Sequence, residues 1–381
     1  MRTLTWCANL QPAADLEALE RFLQGQASAV REALGGRDPL GLGLWLPAEP
    51  AGLLARSPGA VEALAEGLAR RGLFLATVNA FPMGRFHGPG VKEKVYLPSW
   101  AEKDRLVYTV EVLEVAAALG PGEGVLPVST LPLGFLLPGE EERGLVGEAT
   151  ANLLEAARAA EEAGGKRGAD LVLSLEPEPG CLLERTEDFL DWFLQILLPA
   201  ARRRGLEDVC RRRIGVCLDA CHCAVMGEDP LEALRSFSRE GIRVGKIQLS
   251  SALEVFPGKR GWREALEAFA EPCYLHQTTW WDRRGGRKAF FPDLPQALAG
   301  EGGEEAAFWR VHFHLPIFWE GEGPLAGTGP KVLPDLLAER ELLPSVLEVE
   351  TYTWKVLPWV RGEEEILEGV VKELSFAGGL L

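Results

Sequence analysis

Short apolar runs that end in polar or turn-forming residues recur along this chain, and they constrain its fold more than any other feature. They are LTWCAN near 4, LGLGLWLP near 40, LFLATVN near 73, VLPVST near 125, LVLSLEPEP near 171, IGVCLDACH near 214, VGKIQLSS near 244 and SVLEVET near 345. Between most of them lie Ala-, Leu-, Glu- and Arg-rich segments of helical periodicity, such as VEALAEGLARRG and ATANLLEAARAAEEAGG. Alternation of this kind demands a mostly parallel sheet with crossover helices. Successive run ends fall about 30 to 50 residues apart, as a closed (β/α)8 TIM barrel of ~250 residues with insertions requires. An open doubly wound sheet would carry a glycine-rich phosphate turn after an early strand. Neither GxGxxG there nor GxxxxGK followed by Ser or Thr anywhere is present.

The stretch between Gln248 and Glu350 is too long for one helical crossover. It contains YLHQTTWW and WRVHFHLPIF, which read as added strands. The expected organisation is therefore one TIM-barrel domain over 1–381, with 252–340 inserted before the last strand as a lid near the mouth.

Charge narrows the partners. Asp plus Glu outnumber Lys plus Arg 56 to 40, a formal net charge of -16 that repels a phosphate backbone or anionic lipid over long range. Nucleic acid is a poor candidate, and KRGWR near 259 and DRRGGRK near 282 read as solvated loop charges. No uninterrupted apolar run is long enough to span a bilayer. The seven cysteines are odd in number and the first residues, MRTLTWCANL, lack a signal-peptide organisation, so reduced thiols and a cytoplasmic location are expected.

In a parallel barrel the active site lies at the C-terminal ends of the strands. Five such ends supply metal-type ligands or close substitutes: Glu176, Asp219 with His222 in LDACH, Gln248 in KIQLSS, His312 or His314 in VHFHLP, and Glu350 in LEVET. All five histidines, His87, His222, His276, His312 and His314, lie beside an apolar segment or turn that should face the mouth. Carboxylate, imidazole and amide donors together suit Mn²⁺, Mg²⁺ or Zn²⁺, and the imidazoles pull the choice toward Mn²⁺ or Zn²⁺. His312 and His314 are expected on one face of one strand, with at least one of them functional.

Other residues have two readings. Asn79 ends the third run, and Arg85, His87 and Lys92 follow it in FPMGRFHGPGVKEK; they form either a clamp on a substrate phosphate or carboxylate, or an ordinary polar loop. Trp280 and Trp281 either stack on a sugar ring or cap the core, capping being the default for aromatic pairs. Glu178, flanked by prolines, reads as a solvated loop acid ahead of a second ligand. Cys217, Cys221 and Cys223 read as small buried thiols, because no second Cys pair completes a zinc site.

The order Glu, D-x-x-H, a polar residue in an x-L-S-S turn and Glu-Thr at successive strand ends resembles the xylose isomerase-like barrels, which include sugar epimerases and endonuclease IV-type enzymes. More narrowly, TVNAFPMGRFHGPGVKEKVYLPSW, VSTLP, LEPEPGC, KIQLSSAL, YLHQ, RVHFHLP and LEVETYTW resemble the EboE family of metabolite traffic proteins. The resemblance implies metal ligands at Glu176, Asp219 and Glu350, with Gln248 where the epimerases have a histidine. That departure implies either weaker binding or substitution by His276, His312 or His314. It also implies proton transfer by Glu176 and Glu350 on either side of a sugar carbon.

The resulting expectation is a divalent-metal-dependent isomerase or epimerase of a small polyhydroxylated metabolite, set among pathway proteins. The metal set is Glu176, Asp219, Gln248, Glu350, His222 and His314. The substrate set is Asn79, Arg85, His87, Lys92, His276, His312 and Trp281. Two competing readings are a metal-assisted hydrolase of a small phosphoester, favoured by the extra histidines, and a metabolite-binding barrel without turnover, favoured by Gln248.

Overall fold

The computed structural model describes residues 2–10, 15–84, 86–87, 90–120, 124–135 and 142–381. Seven of the apolar runs become strands β1 (Thr3–Cys7), β2 (Leu40–Trp45), β3 (Leu73–Asn79), β4 (Val125–Thr130), β5 (Asp170–Leu175), β6 (Ile214–Asp219) and β7 (Val244–Leu249). The segment that follows forms β8 (Leu253–Val255), β9 (Thr278–Trp281), β10 (Arg287–Phe291), β11 (Phe308–Val311), β12 (Gly321–Glu322) and β13 (Leu325–Gly327). The eighth run is β14 (Val346–Val349).

Strands β1 to β7 and β14 close a parallel barrel in the order β1-β14-β7-β6-β5-β4-β3-β2. This is a closed (β/α)8 barrel. Helices such as Lys103–Leu119 and Glu142–Arg167 pack on one another and cover the barrel's outer face. Both faces of each barrel strand are thereby buried, which is why the runs are almost continuously apolar. Strands β8 to β13 make a separate six-stranded sheet in the order β10-β9-β11-β8-β13-β12, inserted between β7 and β14. Among the described residues no helix is long and apolar enough to cross a membrane.

Strand register decides what the barrel interior contains. Glu348 of β14 lies opposite Gln248 of β7, and Gln248 lies opposite Asp219 of β6. Two residues earlier on β7, Lys246 forms an ion pair with Glu348, both side chains being 0% exposed. Burial alone would lower the Lys246 pKa, but Glu348, with Cys217, Cys7 and Glu350 nearby, raises it above the ordinary lysine value, so the ammonium stays charged. Gly43 of β2 makes the room: a Cβ there would stand 1.6 Å from Glu348 Oε1.

Removing one member of a buried ion pair leaves an uncompensated charge at a cost of about 3–5 kcal/mol, whereas replacing both with apolar residues is often neutral. Lys246→Met is therefore expected to lose about that much stability in urea denaturation, and the double substitution Lys246→Met/Glu348→Met to regain most of it. Equal losses in both proteins would assign the effect to packing instead of to the stranded carboxylate.

Candidate metal centre at the barrel mouth

Glu176 follows β5, Asp219 ends β6 and Glu350 follows β14, so three strand ends deliver a carboxylate to one place. Glu176, Asp219 and Glu350 each offer an oxygen, and the three oxygens all lie within 4.8 Å of one another. The residues are 5%, 2% and 3% exposed. Each also retains one buried oxygen without a hydrogen-bond partner: Glu176 Oε2, Asp219 Oδ2 and Glu350 Oε2. Buried carboxylate oxygens are ordinarily satisfied, so an orphan on each of three neighbouring carboxylates fits a cation.

Two of the remaining oxygens are held in place. Asp219 caps the helix Ala220–Met226, and its Oδ1 accepts from the backbone N–H of His222 and the Ser250 hydroxyl, each at 2.8 Å. Glu350 Oε1 accepts from Asn9 Nδ2 at 3.3 Å.

Charge in this space is expensive. Desolvation, opposed by His222 and reinforced by Asp219, pushes the Glu176 carboxyl up to about 8. Desolvation together with Glu176 and Asp219 pushes Glu350 well above the carboxylate range. Burial also works against an ionised Asp219, but His222, His314 and its two hydrogen bonds outweigh it and lower the pKa. Two of the three carboxyls thus hold protons near neutrality that a divalent ion would displace.

The histidines gather beside this triad. His222 Nε2 lies 3.1 Å from His312 Nε2, which lies 3.2 Å from His314 Nε2. Desolvation and the neighbouring imidazoles hold His312 well below the ordinary histidine value. Desolvation takes His314 to about 4 despite the pull of Asp219. For His222 burial also opposes the charge, but Asp219, Glu178 and Glu176 raise its pKa.

Two expectations need correction. Glu178 is not a solvated loop acid: it is 6% exposed and accepts from the Tyr96 hydroxyl at 2.6 Å, because the turn after β5 folds back under Tyr96 and Gln277. His312 and His314 do not lie within a strand, since β11 ends at Val311. The chain there makes a tight turn, the Phe313 N–H donating to Val311 O at 2.8 Å, and is anchored by the His312 N–H on Gln277 O and the Leu315 N–H on Ser251 O. The two imidazoles nevertheless meet, their Nε2 atoms 3.2 Å apart, while Phe313 stacks on His276.

A cavity partly open to solvent sits over these groups. Glu176, Glu350, Asn79, Lys92, His312 and His314 line it, together with aromatic walls from Phe86 and Tyr274. Asn79 Oδ1 is occupied by the Phe81 N–H. Lys92 pairs with Asp293 and also donates to Tyr274 O at 3.2 Å.

Other predicted residues stand elsewhere. His276 lies behind His312, its Nδ1 donating to His312 O at 2.8 Å and its Nε2 2.9 Å from Glu271. His87 packs between Trp45 and Phe86, with Nδ1 2.6 Å from the Tyr274 hydroxyl. Trp281 stacks on Phe308 in the inserted sheet, and its Nε1 donates to Thr279. Trp280 packs against Phe291 and Trp309 as core. Arg85 lies outside the described residues. Gln248 is fully buried, its Oε1 accepting from the Cys217 thiol at 3.2 Å while Nε2 has no partner. An amide turned end for end would present its oxygen instead.

Sequence reading missed Lys246, Glu348, Asn9 and Tyr352. A signal existed for the first two: KIQ and EVE place Lys246 and Glu348 on the same strand faces as Gln248 and as Glu350. Nothing local marks Asn9 or Tyr352.

No protein-family model and no curated protein matches this sequence. Solved structures do. A D-psicose 3-epimerase from Clostridium cellulolyticum H10, determined with D-tagatose, superposes with a TM-score of 0.53 at 12% identity, covering 100% of this chain and 99% of that one. An IolI protein determined with a zinc atom gives 0.51 at 14% identity, with the same coverage. A xylose isomerase domain protein from Planctomyces limnophilus gives 0.47 at 13% identity, covering 90% of this chain and 96% of that one. Likeness at these identities establishes the fold.

The raised carboxyls predict a pH dependence. Between the ordinary carboxyl value of 4.5 and about 8 the folded state holds a proton on Glu176 that the unfolded chain has released, and Glu350 is shifted in the same direction. Stability of chelator-treated protein should therefore fall as pH rises through this range. Thermal melts at pH 6 and pH 8.5 check this, and added Mn²⁺ or Zn²⁺ should abolish most of the difference.

Proposed function

We propose that this barrel is a divalent-metal-dependent isomerase or epimerase of a sugar or sugar-like polyhydroxylated metabolite. The observation that carries the reading is the convergence of Glu176, Asp219 and Glu350, each with an unpartnered oxygen, where Glu176 and Glu350 border a partly open cavity. The comparison proteins support the substrate class by analogy, one being an epimerase determined with a ketohexose and another a barrel determined with zinc.

A divalent ion held by Glu176, Asp219 and Glu350, with Gln248 beside them, would polarise a substrate carbonyl and its neighbouring hydroxyl and so ease loss of the intervening C–H proton. The chain's own groups do the rest. Glu176 and Glu350 both border the cavity, and their pKa values, raised by burial, suit carboxyls that take and return a proton near neutrality. Asn9 orients Glu350 through Oε1. Asp219, held by two hydrogen bonds and the lowest in pKa of the three, remains anionic as a ligand. Phe86 and Tyr274 exclude water from one side of the substrate. A place in a metabolite synthesis or export pathway rests on the motif resemblance alone.

Exchange of substrate C–H protons in deuterated water, followed by NMR over a panel of ketopentoses and ketohexoses, tests the reading. Wild type loaded with Mn²⁺ or Zn²⁺ should exchange one carbon-bound position. Glu350→Gln and Glu176→Gln should each slow that exchange by about 10²-fold or more. Turnover of a small phosphoester with no sugar exchange would favour the hydrolase reading, and tight sugar binding without exchange would favour a metabolite-binding barrel.

A further inference from the structure

Granted the reading of this cavity as the substrate site, we propose that Arg105 is a positioning residue for it: Arg105 ties residues 80 and 81 to residue 98 and so fixes both ends of the loop that builds much of the cavity wall. It acts on how substrate is held, not on how protons move.

The loop runs from the end of β3 toward the helix Lys103–Leu119. It supplies Phe81, Pro82, Phe86, Val91 and Val95 to the cavity. These side chains give shape and no directional bond, so where they stand is decided by the backbone that carries them. In its middle the loop is tied across the mouth: Lys92 to Asp293 and to Tyr274 O, His87 to the Tyr274 hydroxyl, and Tyr96 to Glu178. Tyr274 and Glu178 themselves line the cavity, where an entering substrate competes for them. The ends of the loop are held differently.

Arg105 Nε donates to Pro98 O at 2.9 Å, and Nη1 donates to Ala80 O at 3.2 Å and to Phe81 O at 2.7 Å. Trp45 Nε1 and the Tyr108 hydroxyl reach Pro82 O at 2.8 and 3.4 Å, and the Ala48 N–H reaches Met83 O at 2.9 Å, but these three serve the first end alone. Among the described residues no other side chain hydrogen-bonds both ends.

Stability alone does not favour an arginine at this position. It is fully buried, on the helix face where Tyr108, Val112 and Leu113 pack. It lies in the first turn of that helix, where the macrodipole disfavours a cation. Among the described residues its hydrogen-bond partners include no carboxylate, and Nη2 has no partner at all. Burial lowers its pKa to about 10 against the pull of Tyr108 and Glu102, which leaves it charged at neutrality. An apolar side chain would cover the same helix face without these costs. It could not bridge three carbonyls that belong to two separated segments. A guanidinium can, because its five N–H donors spread in one rigid plane, whereas an ammonium offers three from a single atom.

Limited trypsin digestion of the full-length chain, with cut sites identified by mass spectrometry, compares wild type, Arg105→Met and Arg105→Lys. Lys92 and Lys94 lie in the loop, and Arg283, in the exposed turn between β9 and β10, is the internal standard. Relative to Arg283, cutting at Lys92 or Lys94 should rise about tenfold in Arg105→Met and by less in Arg105→Lys, which keeps the charge and some of the donors. Unchanged relative cutting, or a rise shared equally by Arg283, would overturn the clamp. Should Arg105→Met not fold, Arg105→Lys decides alone: a rise of about threefold supports the clamp and no rise overturns it.

Proton exchange by Mn²⁺-loaded protein supplies the second measurement. For a sugar exchanged by wild type, KM should rise about tenfold in Arg105→Met with kcat within about threefold, and Arg105→Lys should recover part of the difference. A fall in kcat at unchanged KM would overturn the role in holding substrate. Exchange absent from wild type itself would remove the isomerase reading, and the digestion would then decide the clamp by itself.

Discussion

The cost of keeping negative charge out of water governs the mouth of this barrel. Glu176, Glu178, Asp219, Glu348 and Glu350 are all buried near one another, and a buried carboxylate must be paired, hydrogen-bonded or protonated. Glu348 is paired with Lys246 and Glu178 is hydrogen-bonded to Tyr96. Glu176, Asp219 and Glu350 are each left with an orphaned oxygen, and each brings an oxygen within 4.8 Å of the others. Gly43 makes room for the paired Glu348, while the raised pKa values of Glu176 and Glu350 follow from that remainder.

The inserted segment supplies what the barrel strands do not. A (β/α)8 barrel places side chains at strand ends, and here those ends are mainly acidic. His312 and His314 arrive instead from the chain leaving β11, held over the mouth by Gln277 and Ser251. His222 arrives from the first turn of the helix that Asp219 caps. One aspartate therefore serves three purposes: it ends a strand, starts a helix and stands between the carboxylates and the imidazoles. Changing it would disturb fold and chemistry together, so the glutamates are the cleaner probes.

The carboxylates and the imidazoles also differ in how they are prepared. The carboxylates are poised by burial, which makes their protonation depend on whatever cation is present. The imidazoles are poised by orientation, since acceptors on Pro177, Gln277 and Glu350 fix which nitrogen is free.

Much of this was legible in the chain. All eight apolar runs became barrel strands, because strands buried on both faces must be short, apolar and regularly spaced whatever their surroundings. Glu176, Asp219 and Glu350 were legible for a related reason: a charged residue ending such a run has nowhere to go but the barrel mouth. What the sequence could not decide was contact between distant segments. Glu178 looked solvated until Tyr96 and Gln277, far away in sequence, closed over it. Trp281 left a sugar platform and a core cap both open, and the inserted sheet buries it against Phe308. The meeting of His222, His312 and His314 depends on where a hundred-residue excursion returns, and periodicity carries no information about that. Local pattern determines which face a side chain takes, whereas only the closed barrel and its inserted sheet determine what that side chain meets.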